Sequence, residues 1–135
     1  MEPKFELTKQ WIDKSLRDFE GAEAMANREI PYLDLAVYHF QQSAEKAIKA
    51  YLVFCDQPFE KIHDIEKLIQ LAMKYSIDFS ILIEDGKLLT PFATKFRYPG
   101  EEGEPDREEY ERLLSSTKKI YEFVLSKIPK ETHPE

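Results

Sequence analysis

Four polar side chains in the middle of the chain could together bind a phosphate and a nucleobase. They are His39, Gln42, Lys46 and Lys49. Their spacings of three, four and three residues align them along one edge of a helix. An imidazole, an amide and two ammonium groups can contact phosphate oxygens and the polar edge of a base. The alternative is an ordinary solvated helix face, in which Glu45 and Lys49 form an ion pair.

A second candidate site lies where an arginine and a tyrosine precede a rigid turn, in Phe96-Arg97-Tyr98-Pro99-Gly100. Arg97 could hold a phosphate there while the ring of Tyr98 stacks on a base. Alternatively, Arg97 pairs with the acidic run that follows and Tyr98 fills the core. That run contains Glu101, Glu102 and Glu104.

The sequence lacks the motifs typical of metal or nucleophile chemistry. It has no Gly-rich phosphate loop, no Cys-x-x-Cys and no His-Glu-x-x-His. The three histidines, His39, His63 and His133, are far apart and have no ligand spacing. We therefore expect no metal site and no required cofactor, with a nucleotide as the expected ligand. The single cysteine, Cys55, lies in an apolar stretch and is interpreted as a structural thiol.

Four or five amphipathic helices must position these side chains, and no segment has the pattern of a β-hairpin. The helices are predicted over residues 8–27, 32–55, 64–75 and 106–128. Thr8, Asp64 and Asp106 are the expected N-caps. Residues 77–96 are predicted as one or two short helices, interrupted near Gly86 and bent at Pro91. These elements predict an all-α fold, an antiparallel, up-and-down bundle of four to five helices.

The predicted helix 32–55 has the most regular pattern. Its apolar positions, spaced for a helix, define a core face: Leu33, Val37, Phe40, Ala44, Ala47, Ile48, Tyr51 and Cys55. Beside it runs a strip of small residues, Ala36, Ser43 and Ala50, interrupted by His39. Such a strip allows another helix to approach closely, either within the bundle or across a homodimer. We therefore favour a homodimer over a monomer.

Length and charge limit the class of protein. The 135 residues predict one domain, residues 1–135, with a core of about 7–128 and a frayed tail over 129–135. A net charge of −7 argues against a general nucleic-acid coat protein, although it allows a local basic pocket. No signal peptide and no membrane-spanning stretch is predicted, so the expected location is cytoplasmic.

Four stretches, taken in order, resemble the HEPN domain family (higher eukaryotes and prokaryotes nucleotide-binding), in its small stand-alone prokaryotic form. The similarity covers residues 7–128. The third stretch is similar to the Lys/His-x-His-Asp-Leu pattern that opens a helix in that family, and the fourth to an Arg-Tyr segment before its last helix. The stretches are Trp11–Ala26 with its Asp18, Tyr38–Ala50, His63-Asp64-Ile65 and Arg97-Tyr98-Pro99.

The resemblance implies an all-α bundle that usually forms homodimers. It also implies a small nucleotidyltransferase partner in a toxin–antitoxin-like pair, and many members of the family are metal-independent RNases. That RNase chemistry uses an arginine followed, after four to six residues, by a histidine. No arginine of this chain has a histidine at that distance; they are Arg17, Arg28, Arg97, Arg107 and Arg112.

The sequence therefore predicts a HEPN-like nucleotide-binding or interaction module without catalysis. Arg97, Lys46 and Lys49 would hold phosphate and Tyr98 would stack on a base. His39 and Gln42 would then contact polar edges. The first alternative is an RNase toxin with an atypical site, in which His39 is the general acid or base and Arg97 stabilises developing charge. The second is a helical interaction protein whose polar stripe is only a surface.

Overall fold

The computed structural model describes residues 1–96 and 103–135. Those residues form five α-helices and three 3₁₀ turns, and no strand occurs among them. The helices are α1 (Pro3–Ala26), α2 (Leu33–Phe54), α3 (Ile65–Met73), α4 (Ile83–Leu89) and α5 (Arg107–Leu125). The 3₁₀ turns span Ile77–Leu82, Thr90–Ala93 and Lys130–Thr132. This architecture confirms the predicted all-α bundle. Within the described ranges, no helix is long and apolar enough to cross a membrane.

Helices α1 and α2 pack along each other more extensively than any other pair and form the frame of the molecule. Two serines form hydrogen bonds across this pair of helices. The hydroxyl of Ser15 donates to the carbonyl oxygen of Ser43 at 2.7 Å, and that of Ser43 donates to the carbonyl oxygen of Ser15 at 2.8 Å. Of the two uses predicted for the strip of small residues, close packing inside the bundle is therefore the one observed. The strip no longer argues for a homodimer.

The remaining helices close the core against α2. Phe40 of α2 contacts Tyr110 of α5 with ring centroids 5.3 Å apart, and α3 packs on the same helix further along. Two predicted N-caps are confirmed. The Asp64 carboxylate accepts from the backbone N–H of Glu66 at 2.9 Å, and that of Asp106 accepts from Glu109 at 2.8 Å. Each such cap stabilises its helix by about 1 kcal/mol.

Two predicted helix boundaries are wrong. The first helix begins at Pro3, and Thr8 lies inside it, with its hydroxyl donating to the Lys4 carbonyl oxygen at 2.8 Å. Helix α4 runs through Gly86 without interruption. A Cβ at Gly86 would lie 2.8 Å from Cδ1 of Ile69, so the glycine allows α3 and α4 to approach closely. The absence of a side chain, rather than a break in the helix, explains this glycine.

The end of the chain also differs from the predicted frayed tail. Residues 130–132 form a 3₁₀ turn that packs against α1, and Thr132 is fully buried. The imidazole of His133 lies 2.8 Å, through Nε2, from the carbonyl oxygen of Leu125 near the end of α5. These contacts tie the tail to the bundle, because they satisfy carbonyl groups that a helix end leaves without partners.

Candidate functional site

The first charged cluster lies on the outside of the α1–α2 pair and is called the outer cluster. It consists of Asp18 from α1 and His39 and Lys46 from α2. One carboxylate oxygen of Asp18 lies 2.9 Å from Nδ1 of His39, and the other accepts from Nζ of Lys46 at 2.5 Å. Side-chain exposures of 13% for Asp18, 29% for His39 and 26% for Lys46 leave all three in contact with solvent. The structure thus brings together two of the predicted site residues.

Asp18 determines how the imidazole is presented. Because an ionised carboxylate only accepts hydrogen bonds, Nδ1 of His39 donates to it. The other ring nitrogen, Nε2, is then the one that a ligand would meet. The two α2 residues are seven apart, two helical turns, so both reach the one carboxylate from α1.

A second charged cluster, the inner cluster, lies on the same helix but is covered. It consists of Gln41, Glu45 and Lys49, with His63 at its edge. Glu45 accepts from Nζ of Lys49 at 2.9 Å and from the Gln41 amide at 3.2 Å. It also lies 3.2 Å from Nδ1 of His63, whose side chain is 70% exposed. The side chains of Glu45 and Lys49 are only 6% and 7% exposed.

The burial of Lys49 corrects its predicted position on an exposed helix edge. Its ammonium group lies 5.7 Å from the ring centroid of Trp11 and 5.4 Å from that of Phe59, and these rings shield it from solvent. The Glu45–Lys49 ion pair of the alternative interpretation is observed, but it is buried and does not lie on a solvated face. A phosphate could reach Lys49 only after this covering was opened.

Gln42 lies between the two clusters. It is partly exposed, and its amide donates to Oε1 of the buried Gln41 at 2.7 Å. Its donor is therefore oriented by the inner cluster, and its side chain lies on the same edge of α2 as His39 and Lys46. Of the four polar residues predicted along this edge of α2, His39, Gln42 and Lys46 are accessible to a ligand and Lys49 is not.

A groove of about 430 Å³ runs beside the outer cluster and is called the α1–α2 groove. Its lining residues come mainly from α1, with one from α2: Leu7, Gln10, Trp11, Lys14 and Lys46. Gln10 and Lys14 were not predicted as site residues, and Trp11 entered only through the family resemblance. The available signal was helical spacing: Lys14 lies four residues after Gln10 and three after Trp11, which puts it beside both on the first helix.

A second cavity of about 290 Å³ lies between the start of α2 and the 3₁₀ turn at 90–93. Its walls combine the apolar and aromatic side chains of Leu35, Tyr38, Phe92 and Phe96 with the polar side chains of Asp34 and Thr94. The candidate residues Arg97 and Tyr98, and the acidic residues Glu101 and Glu102, lie outside the described residues. Their predicted roles therefore stay predictions.

Cys55 and the possible metal ligands were the other groups considered in the sequence. Burial raises the pKa of the Cys55 thiol above its usual value, although the Tyr51 hydroxyl and Lys4 oppose this shift. Little thiolate therefore forms near neutral pH, as expected of a structural cysteine. In residues 1–96 and 103–135, no group of three or more His, Cys, Asp and Glu side chains could hold a metal ion.

With this fold and geometry in view, similarity to known proteins identifies the class. The HEPN domain family model matches residues 8–128, so the chain belongs to the HEPN family. The crystal structure of ST0689, an archaeal HEPN homologue, is similar with a TM-score of 0.71 and 23% sequence identity, covering 90% of this chain and 98% of that chain. At this identity the likeness establishes the fold alone. No curated protein matches the chain.

Proposed function

We propose that this chain is a non-catalytic HEPN module that binds a nucleotide through the outer cluster. The main support for this proposal is the position of Lys46, which is partly exposed, pairs with Asp18 and lines the α1–α2 groove. An ion pair with this exposure contributes only about 0–1 kcal/mol. A phosphate with two or more charges can therefore compete with Asp18 for the lysine.

His39 and Gln42 complete the proposed phosphate site. Nδ1 of His39 is already engaged by Asp18, so Nε2 can contact a phosphate or a base edge. Gln42 offers an amide on the same edge of α2, held by its hydrogen bond to Gln41. We also keep Arg97 and Tyr98 in the proposal, as a phosphate contact and a stacking ring, on the strength of the sequence pattern.

The proposed lack of catalysis depends on the absence of the family's arginine–histidine motif from this chain. The family's RNase chemistry, as the resemblance implies it, requires a histidine after four to six residues, and none follows any arginine in this chain. The positions at that distance after Arg97 are Glu102, Gly103 and Glu104, and the two glutamates would repel RNA phosphates. Binding without cleavage is therefore the better-supported activity.

We further propose that the chain acts in the cytoplasm as a homodimer, with a small nucleotidyltransferase as partner in a toxin–antitoxin-like pair. Family membership supports this proposal. Light scattering after gel filtration should give twice the mass of the chain. A nucleotidyltransferase encoded beside it should co-purify with a tagged chain. A monomer that retains no nucleotidyltransferase would contradict both parts.

A thermal-shift screen with nucleoside mono-, di- and triphosphates, with and without magnesium, tests the nucleotide proposal. A ligand at 100 times its dissociation constant adds about 2.7 kcal/mol, which raises Tm by several degrees. We expect Lys46→Ala to remove the shift. Lys118→Ala, which removes an exposed lysine from α5, is the matched control and should keep it. An undiminished shift in Lys46→Ala would refute the outer cluster as the site. Arg97→Ala tests the sequence-based part separately.

One observation favours a second candidate, a metal-independent RNase with an atypical site. A carboxylate-held imidazole is the arrangement of a general acid or base, and the Asp18–His39 pair has it. Arg97 would stabilise the developing phosphate charge. Cleavage of an RNA panel in the presence of a chelator, lost in His39→Ala, would establish this function. Equal cleavage by wild type and His39→Ala would point to a contaminant.

A further inference from the structure

The α1–α2 groove extends beyond the outer cluster and is lined mostly by residues of α1 that do not belong to it. Its volume of about 430 Å³ falls in the range of small-molecule sites. Leu7 and Trp11 supply apolar walls, while Gln10 and Lys14 supply polar groups on the same face of α1. An apolar cleft with a few convergent polar groups is the usual composition of a ligand site.

Trp11 is held in place from behind. Its ring meets Phe59 edge-on with centroids 5.7 Å apart, and the buried Lys49 ammonium lies 5.7 Å from its centroid. The indole is nevertheless only half-buried and lines the groove. An aromatic ring that is already fixed loses little conformational freedom when a flat ligand packs against it, which favours stacking of a base.

Two ammonium groups accompany this aromatic wall. Lys14 follows Trp11 by three residues on α1, and Lys46 faces the groove from α2. Among the described residues that line the groove there is no carboxylate. An anion entering it therefore meets two ammonium groups, of which that of Lys46 is paired with Asp18 of the outer cluster. An aromatic wall beside two cations matches a base joined to a phosphate.

We propose that the α1–α2 groove binds a nucleoside phosphate, with the base against Trp11 and the phosphate between Lys14 and Lys46. The inference rests on the proposed function and deepens it, because it adds Trp11 as a stacking surface for the base and Gln10 as a polar contact. The amide of Gln10 then contacts the polar edge of the base. A purine binds more tightly than a pyrimidine, because it presents the larger surface to the indole.

Trp11 is the only tryptophan of the chain, so its fluorescence reports directly on the groove. The experiment titrates the full chain with ATP and, separately, with inorganic tripolyphosphate, which has the charge but no base. We expect both ligands to bind in calorimetry and only ATP to change the emission of Trp11. Trp11→Leu should weaken the binding of ATP by roughly tenfold and leave the binding of tripolyphosphate unchanged. Trp11→Phe, which keeps an aromatic wall, should stay within a few-fold of wild type.

Loss of binding in a variant must be distinguished from loss of folding. Circular dichroism and thermal unfolding show whether Trp11→Leu remains folded. If it does not, the wild-type emission carries the test, because ATP should change it and tripolyphosphate should not. Lys14→Ala should weaken the binding of both ATP and tripolyphosphate. Lys9→Ala removes an α1 lysine that pairs with Asp13, so it should weaken neither.

The outcomes separate the base subsite from the phosphate site. If tripolyphosphate and ATP bind equally, Trp11 emission is constant and Trp11→Leu has no effect, the base subsite is refuted while phosphate binding stands. If neither ligand binds, the proposed nucleotide function fails as well. A 5′-phosphorylated RNA oligonucleotide distinguishes the source of the ligand: quenching by ATP alone indicates a free nucleotide, and quenching by both indicates that an RNA end carries the same chemistry.

Discussion

The outer and inner clusters contain the same kinds of residue and differ in what covers them. Each joins a carboxylate, a lysine and a histidine on or against α2. The outer carboxylate and lysine are 13% and 26% exposed, whereas the inner pair is 6% and 7% exposed. A covered pair cannot exchange its partner for water or for a ligand without opening the structure. Exposure therefore decides which charges stabilise the fold and which are available for binding.

The largest expected effect is on stability. Glu45→Ala should lower the free energy of unfolding by about 3–5 kcal/mol, because it leaves the Lys49 ammonium buried without its partner. Asp18→Ala should cost no more than about 1 kcal/mol, because the outer pair is partly solvated. Urea denaturation of both variants at neutral pH measures the difference. Equal losses would show that the two clusters do not differ in this way.

A smaller effect is expected on ligand binding, where a substitution of Asp18 should be favourable rather than unfavourable. Asp18→Asn should strengthen the binding of tripolyphosphate roughly fivefold, about 1 kcal/mol, because the carboxylate no longer competes for Lys46. Asp13→Asn makes the same change in net charge at an exposed position on α1 and is the matched control. Calorimetric titration of both variants provides the comparison. Equal gains would mean that only net charge matters.

The smallest expected effect is that of ionic strength, which should act differently on the two clusters. Phosphate binding at the outer cluster should weaken several-fold between about 50 and 500 mM salt, because exposed charges are screened. The stability difference between wild type and Glu45→Gln should change little over the same range, since buried pairs are screened much less. Both quantities can be measured in parallel titrations. A stability difference that disappears at high salt would contradict the assigned burial of Glu45.

Helical periodicity predicted the fold class, the approximate helices and two of the caps. Asp64 and Asp106 cap their helices as expected because the signal is local: a short acidic side chain accepts from backbone N–H groups a few residues ahead. The family resemblance was also confirmed, since the match covers residues 8–128. These features depend on neighbours along the chain, which a sequence displays directly.

The misplacement of Lys49 has a different origin. Periodicity places it on the polar edge of α2, but it cannot show that Trp11 and Phe59, 38 residues before and 10 residues after it, close over that edge. The same reason explains the α1–α2 groove, which exists only once two helices are placed side by side. Gly86 was misread for a related reason, because the close approach of Ile69 is a tertiary contact.

Removal of the outer lysine and removal of the inner charged pair should differ in their effect on ligand binding. Lys46→Ala should weaken ATP binding by roughly tenfold or more, since a charge-assisted contact to phosphate is lost. Glu45→Gln/Lys49→Met removes both buried charges together, so no charge is left unpaired, and it should bind ATP within about twofold of wild type. Calorimetric titration of the three folded proteins gives the answer. If the double variant loses binding while Lys46→Ala keeps it, the inner cluster is the ligand site and the outer cluster is not.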